Sequence, residues 1–269
     1  MIGAIVGDIA GSRFEIKNYK AKDFEFLSDK CRYTDDSVMS LAICEALLNS
    51  DADYSDLSEQ AQNSMKNLVI QFPWKGYGQN FIQWAMNPKP EPYGSYGNGA
   101  AMRVSGCGYV GNTIDEVKKL SEAVTCVTHN HPEGIKGAEA TAVAVFLART
   151  GESKSAIREY IQNSYYPLDF TLDGIRETYK PNQSCQGTVP QAIVAFLESD
   201  SFEDAIRNAI SIGGDSDTIA AIAGSIAEPY YGVPREIRER TIEFLDPSLL
   251  EILSRFEEVY PPKIIQDKD

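Results

Sequence analysis

Apolar residues recur at helical spacing along most of this chain, and almost nowhere do they alternate with polar ones as a half-buried strand requires. Val38, Leu41, Ala42, Ala46 and Leu48 mark one stripe, which predicts a helix opening at the Thr34 turn and ending near Asn49. Leu57, Ala61, Met65, Leu68 and Val69 mark a second, over Ser55 to about Gln71. A short helix carrying Trp84 is expected at Phe81–Met86, an amphipathic one over 114–127, and an alanine-rich central one from Ile135 to Arg149. Further helices are predicted at Ser153–Asn163, Thr188–Glu198, Ser201–Ser211 and Asp215 to about Glu228. Pro234–Phe244 and Pro247–Phe256 follow, each opening on a proline, tolerated there because a first-turn N–H has no helical partner to lose. The expected architecture is all-α, a compact single-domain helical fold over residues 1–269, with 261–269 a frayed, charged tail.

Three stretches depart from this regular pattern. Residues 2–12 read as a buried helix rich in Gly3, Ala4, Gly7, Ala10 and Gly11, interrupted by Asp8. Glycine weakens a helix, so this many predicts close approach of another backbone or of a ligand. Residues 17–33 are charged and loosely patterned, as a surface loop is. Residues 87–97, with Pro88, Pro90 and Pro92, are stiff and extended. They are either an interdomain linker or the approach to Asn98-Gly-Ala-Ala-Met-Arg, a glycine-rich entry to a helix whose backbone amides could hold phosphate oxygens.

Charge and cysteine content narrow the partners. A net charge of −14 argues against duplex nucleic acid or an anionic membrane, both of which reward clustered Lys and Arg. Five cysteines without C-x-x-C spacing argue against a disulfide framework or a zinc site and make a reducing cytosol the default. With no secretory leader and no membrane-length apolar run, the expectation is a cytoplasmic protein, monomeric, with no membrane partner. His129 and His131 are the only histidines, and beside Pro132 they read as a loop or a hydrogen-bonded cap rather than metal ligands.

Two oxygen-rich clusters carry the chemistry. Thr34-Asp35-Asp36-Ser37 and Gly213-Gly-Asp215-Ser-Asp217-Thr218 each stand directly before an apolar helix. Asp, Ser and Thr are preferred N-caps, so two independent helix starts are one explanation. A single cap needs no second carboxylate, however, and the alternative is that the clusters meet. Two carboxylates ~4 Å apart repel by about 4 kcal/mol at an effective dielectric of ~20. Divalent cations would then be the natural compensation, and oxygen-only donors suit Mg²⁺, Mn²⁺ or Ca²⁺ rather than Zn²⁺.

With these clusters stand Gly7-Asp8, Glu15, Gly94-Ser-Tyr-Gly-Asn-Gly-Ala-Ala-Met-Arg103 and Thr128-His129. In this order, across nearly the whole chain, the motifs resemble the ADP-ribosylglycohydrolase family, which includes the dinitrogenase-reductase-activating glycohydrolase and the eukaryotic ADP-ribosyl-acceptor hydrolases. The resemblance implies an all-α fold with a binuclear metal site at helix N-termini, two Mg²⁺ (or Mn²⁺) held by Thr34, Asp35, Asp36, Asp215, Asp217 and Thr218. It implies an ADP-ribosylated protein or ADP-ribose conjugate as substrate, cleaved between ADP-ribose and a Ser or Arg side chain. Gly94, Ser95, Gly97, Asn98 and Gly99 would bind diphosphate, Tyr96 would lie near the adenine and His129 would line the pocket. Asp36 would help activate the nucleophile, and Glu15, on a segment expected to move, would gate the site or act in acid–base catalysis. The chain departs from the family where an aromatic usually precedes the Gly-Ser-Tyr turn, a place taken by Pro90 and Pro92 with Tyr93 as a substitute. It departs again at Ser216, where threonine is usual.

Two other functions compete. A non-catalytic relative would bind ADP-ribose, or block a toxin as an immunity protein, with the same fold. The complete set of acidic residues with Glu15 favours an enzyme. A two-metal phosphohydrolase would release AMP rather than intact ADP-ribose.

Overall fold

The helix of small residues at the start of the chain becomes the centre of the molecule. In the computed structural model, which describes residues 1–265, Ile2–Gly11 (α1) is buried along its whole length. It packs on Ser216–Tyr231 (α12), the helix that follows the Gly-Gly-Asp-Ser-Asp-Thr turn. The glycines explain the closeness, and the neighbour is backbone rather than ligand. A Cβ on Gly7 would lie 2.1 Å from the Ala220 carbonyl oxygen, and one on Gly11 would lie 2.5 Å from Asp217 Cα. At the far end of this pair the Met1 ammonium pairs with buried Glu228, whose Oε2 also accepts the Gly3 amide at 2.6 Å.

The remaining helices build outward from that pair. Asp35–Asn49 (α2) lies against α1, with Leu57–Gln71 (α3) beyond it and Gln79–Met86 (α4) against α3. Ser105–Val110 (α5), Ile114–Thr125 (α6) and the alanine-rich Pro132–Arg149 (α7) form a second group. Lys154–Ser164 (α8) sits on α7, and the short Leu172–Arg176 (α9) leads into Cys185–Leu197 (α10). Helices α10 and Phe202–Ile210 (α11) both pack on α12, and Arg235–Ile242 (α13) and Pro247–Val259 (α14) complete the shell.

The all-α expectation holds, with three local differences. Helix α9 was not predicted, because Leu-Asp-Gly-Ile-Arg is short and carries a glycine; Thr171 starts it by accepting the Gly174 amide at 3.1 Å. The glycine-rich turn leads first into a single 3₁₀ turn, Asn98–Ala100, and not directly into an α-helix. Two strands of two residues, Val233–Pro234 (β1) and Ile264–Ile265 (β2), pair in parallel, so part of the stretch expected to fray is hydrogen-bonded; 266–269 lie outside the described residues. No helix among the described residues is long and apolar enough to cross a membrane.

Candidate active site

The two acidic clusters meet. Helices α2 and α12 present their N-termini to one another, and Thr218 Oγ1 donates to Asp36 Oδ2 at 3.2 Å. The turn that aims α12 depends on Gly213 and Gly214, at φ +70° and +77°, a left-handed conformation that side chains disfavour. Asp215 is the N-cap of α12, yet its side chain makes no capping bond; its Oδ2 accepts Asn98 Nδ2 at 2.6 Å. Capping therefore does not account for this carboxylate. Thr34 does cap α2, weakly, by accepting the Asp36 amide at 3.4 Å.

Asp8, the charged interruption in α1, is a site residue that sequence reasoning left out of the set. It is fully buried and accepts the amides of Thr34 at 2.9 Å and Ser37 at 3.0 Å, the Thr34 hydroxyl at 2.7 Å and the Ser37 hydroxyl. It thus caps α2 from a neighbouring helix. The available signal was a lone carboxylate in an otherwise small and apolar helix.

Crowding shows in the acid–base properties. Burial raises Asp36 well above the ordinary carboxylate range, and the charges of Asp217, Asp8, Asp35 and Asp215 add to the rise. Asp217 is likewise raised by burial, then by Asp215, Asp8 and Glu15. Asp35 is pushed up to about 8, by burial first and by Asp8, Asp215 and Glu15 after it. Glu15, half-buried just past α1, is raised by burial and by Asp215. Each shift favours the protonated form, and a counter-charge would oppose it.

The donor set fits divalent cations. Oxygen atoms of Asp8, Asp36 and Asp217 lie within 4.8 Å of one another, and so do those of Glu15, Asp215 and Asp217. Asp217 belongs to both groups, as a carboxylate between two neighbouring ions would. Asp36 Oδ1 is buried with no hydrogen-bond partner, an orphan acceptor that a cation would satisfy. All the donors are hard oxygen, and the positive ends of α2 and α12, which favour anions, help keep these carboxylates ionised as ligands. The expected ligands do not all stand alike. Asp35 lines the cavity outside both groups, and the Thr34 hydroxyl is turned to Asp8.

A cavity of about 440 Å³ opens from this cluster. Glu15, Asp35, Asp36, Asp215, Asp217 and Thr218 form one end, and Ser95, Gly97, Asn98, Gly99, Tyr93 and His129 form another part of its wall. Gly94 and Tyr96 are not on the wall; Tyr96 is half exposed, its ring 5.2 Å from that of His131. Tyr93 is, with its ring 5.9 Å from His129. Three of the amides expected to hold phosphate are already engaged: Gly94 N donates to Asn130 Oδ1, Gly97 N to Ser95 Oγ and Asn98 N to the Gln183 carbonyl. The histidines behave differently from each other. His131 caps α7 by accepting the Glu133 amide at 3.1 Å, while His129 is buried in the cavity wall.

The segment bearing Glu15 is anchored a few residues on. Asn18 Oδ1 accepts the Gly214 amide at 3.0 Å, and Lys20 Nζ donates to the carbonyls of Arg176, Tyr179 and Ile212 at 2.6, 2.8 and 2.7 Å. This ties the charged loop to the turn that starts α12.

Comparison with known proteins covers nearly the whole chain. The sequence model of the ADP-ribosylglycohydrolase family matches residues 1–263. ADP-ribosylhydrolase ARH3 of Homo sapiens is 28% identical, over 87% of this chain and 84% of its own length. ARH3 of Mus musculus is 30% identical over 75% of this chain and 70% of its own. ADP-ribosylarginine hydrolase Tri1 of Pseudomonas putida (strain GB-1) is 24% identical over 87% of this chain and 70% of its own. A solved structure described as an ADP-ribosylglycohydrolase-related protein complex has the same fold, with TM-score 0.68 at 22% identity over 96% of both chains.

Proposed function

The chain belongs to the ADP-ribosylglycohydrolase family, and from that premise we propose that it hydrolyses the glycosidic bond between ADP-ribose and a Ser or Arg side chain, removing ADP-ribose from modified proteins. The observation that carries this reading is the convergence of Asp36, Asp215, Asp217 and Glu15 at one end of the cavity, with Asp8 behind them and the wall continuing to the glycine-rich turn. The carboxylate end suits the reacting sugar, and the cavity beyond it, walled by Ser95, Gly97, Gly99 and His129, leaves room for the rest of ADP-ribose.

Two Mg²⁺ or Mn²⁺ would be held among Asp36, Asp215, Asp217 and Thr218, with Asp35 and Thr34 beside them and Asp8 behind. When bound, they supply orientation of ribose hydroxyls and activation of water. The protein's own groups do the rest. Cleavage passes through an oxocarbenium-like state, which nearby carboxylates stabilise. Asp36 accepts the proton of the attacking water. Glu15, half-buried on the cavity wall beside the carboxylate cluster, is placed to pass a proton to the leaving side-chain atom.

The assay is direct: purified protein, MgCl₂ or MnCl₂, and substrate proteins carrying Ser-linked or Arg-linked ADP-ribose, with products separated by chromatography. Intact ADP-ribose is expected from one linkage or both. Release of AMP would indicate a phosphohydrolase, and no release from either linkage with metal present would sink the proposal.

A further inference from the structure

Arg103 has a chemical problem that the carboxylate cluster does not solve. It lines the cavity at 1% exposure, and it takes part in none of the ion pairs among the described residues. Its guanidinium donates to Thr128 Oγ1 at 2.7 Å and, weakly, to the Val124 carbonyl at 3.4 Å, while Nε is buried without a partner. Burial pulls its pKa down to about 10, so it remains charged at neutral pH. A buried cation lacking a counter-ion is costly, and it fits a protein that receives an anion from outside.

The partner it does have leads to His129. Thr128 Oγ1 lies 2.7 Å from His129 Nδ1, whereas the other acceptor for its single proton, the Thr125 carbonyl, is 3.4 Å away. A guanidinium only donates, so it occupies a lone pair of the threonine oxygen and leaves the hydroxyl proton for the nearer acceptor, Nδ1. Burial and the charge of Arg103 keep the ring neutral, so its one proton lies on the other nitrogen. Nε2 is 3.5 Å from where a Cβ on Gly99 would stand and 3.7 Å from the same place on Gly97. The imidazole N–H therefore faces the glycine-rich turn, where the amides of Gly97 and Asn98 are already engaged.

We propose that Arg103 is a positioning residue which, through Thr128, fixes His129 with its proton on Nε2 and so makes this wall a preorganised site for the diphosphate of the substrate. The identity of the anion rests on the ADP-ribose reading; the relay does not. The ligand's charge supplies the counter-ion that Arg103 lacks, and His129 supplies the directed donor.

The test reads the tautomer and the affinity separately. In ¹⁵N-histidine-labelled protein only two imidazoles need assignment, since the chain has His129 and His131 alone. His129 should show a pyrrole-type Nε2 and a pyridine-type Nδ1. Thr128→Val keeps the shape and removes the relay: the Nδ1-protonated form should appear, and affinity for inorganic pyrophosphate and for ADP-ribose should fall about tenfold. Arg103→Met should act in the same direction, but loss of a buried charge can disturb folding, so the threonine variant carries the test. A wild-type His129 protonated on Nδ1, or an unchanged tautomer and pyrophosphate affinity in Thr128→Val, would overturn the proposal. So would a wild-type protein that binds neither pyrophosphate nor ADP-ribose. If the relay and pyrophosphate binding behave as expected while no conjugate releases ADP-ribose, the relay stands and the hydrolase reading fails.

Discussion

Asp217 touches both carboxylate groups, so removing its charge disturbs both positions at once. Asp217→Asn is expected to lower kcat by at least about a hundredfold, since cations at such sites contribute several kcal/mol of transition-state stabilisation. The check is single-turnover release of ADP-ribose, with binding of a toxin-like partner as the contrast: a plugging protein would keep its partner and show no such loss. Asp8 acts otherwise. It receives two backbone amides and two hydroxyls, so Asp8→Asn replaces charge-assisted bonds by weaker ones and turns an amide N–H toward donors. We expect a loss of about 2 kcal/mol in urea unfolding and a drop of about 10–100-fold in Mg²⁺ affinity by calorimetry. Unchanged metal affinity would show that Asp8 serves α2 alone.

At the scale of elements, the α1–α12 contact sets the distance between the acidic clusters. Asp8 is on α1, Asp217 is on α12, and Thr218 bridges to α2 through Asp36. Gly7→Ala tests this geometry. Alanine favours a helix over glycine by about 1 kcal/mol. Here, however, the new Cβ would lie 2.1 Å from a backbone oxygen, which cannot swing aside as a side chain can. Overpacking of this kind costs about 3 kcal/mol, so a net destabilisation of roughly 2 kcal/mol is expected in chemical denaturation. Metal affinity should fall with it, because α12 must move away from α1. A Gly7→Ala protein of unchanged stability would contradict the close packing.

Across the whole molecule, the carboxylates make stability depend on pH and metal together. A carboxyl whose pKa is raised by folding holds a proton in the native state after the unfolded chain has lost it. Between those two values stability falls as pH rises. Asp36, Asp217, Asp8 and Glu15 are raised, and Asp35 is pushed up to about 8, so the window runs from the ordinary carboxylate value to at least that pH. The melting temperature of EDTA-treated protein should therefore decline from about pH 5 to about pH 8. Saturating Mg²⁺ should cancel the decline, because cations replace the protons and bind more tightly as the ligands ionise. Scanning calorimetry with and without metal decides it; a flat profile for the EDTA-treated protein would show that the carboxylates do not repel as their burial implies.

Local pattern was enough for the helices and for the chemical type of the site. Stripes at 3.6-residue spacing place most helices within a few residues of where they stand, because burial of one face acts over a single turn. The two Asp-rich helix starts announce hard oxygen donors for the same local reason. What the chain alone left open is everything that depends on which surfaces touch. Whether two helix starts were separate caps or one centre was decided by the glycine-mediated approach of α1 to α12. That packing also brings Asp8, a lone charge in a small-residue helix, behind Thr34, and turns the Thr34 hydroxyl away from the cavity. Likewise nothing in Thr128-His129 distinguishes a turn from a relay until Arg103, 25 positions earlier than Thr128, places its guanidinium on the threonine oxygen. Hydrogen bonds and carboxylate repulsion act over a few ångströms of space, and only the tertiary fold converts sequence separation into that distance.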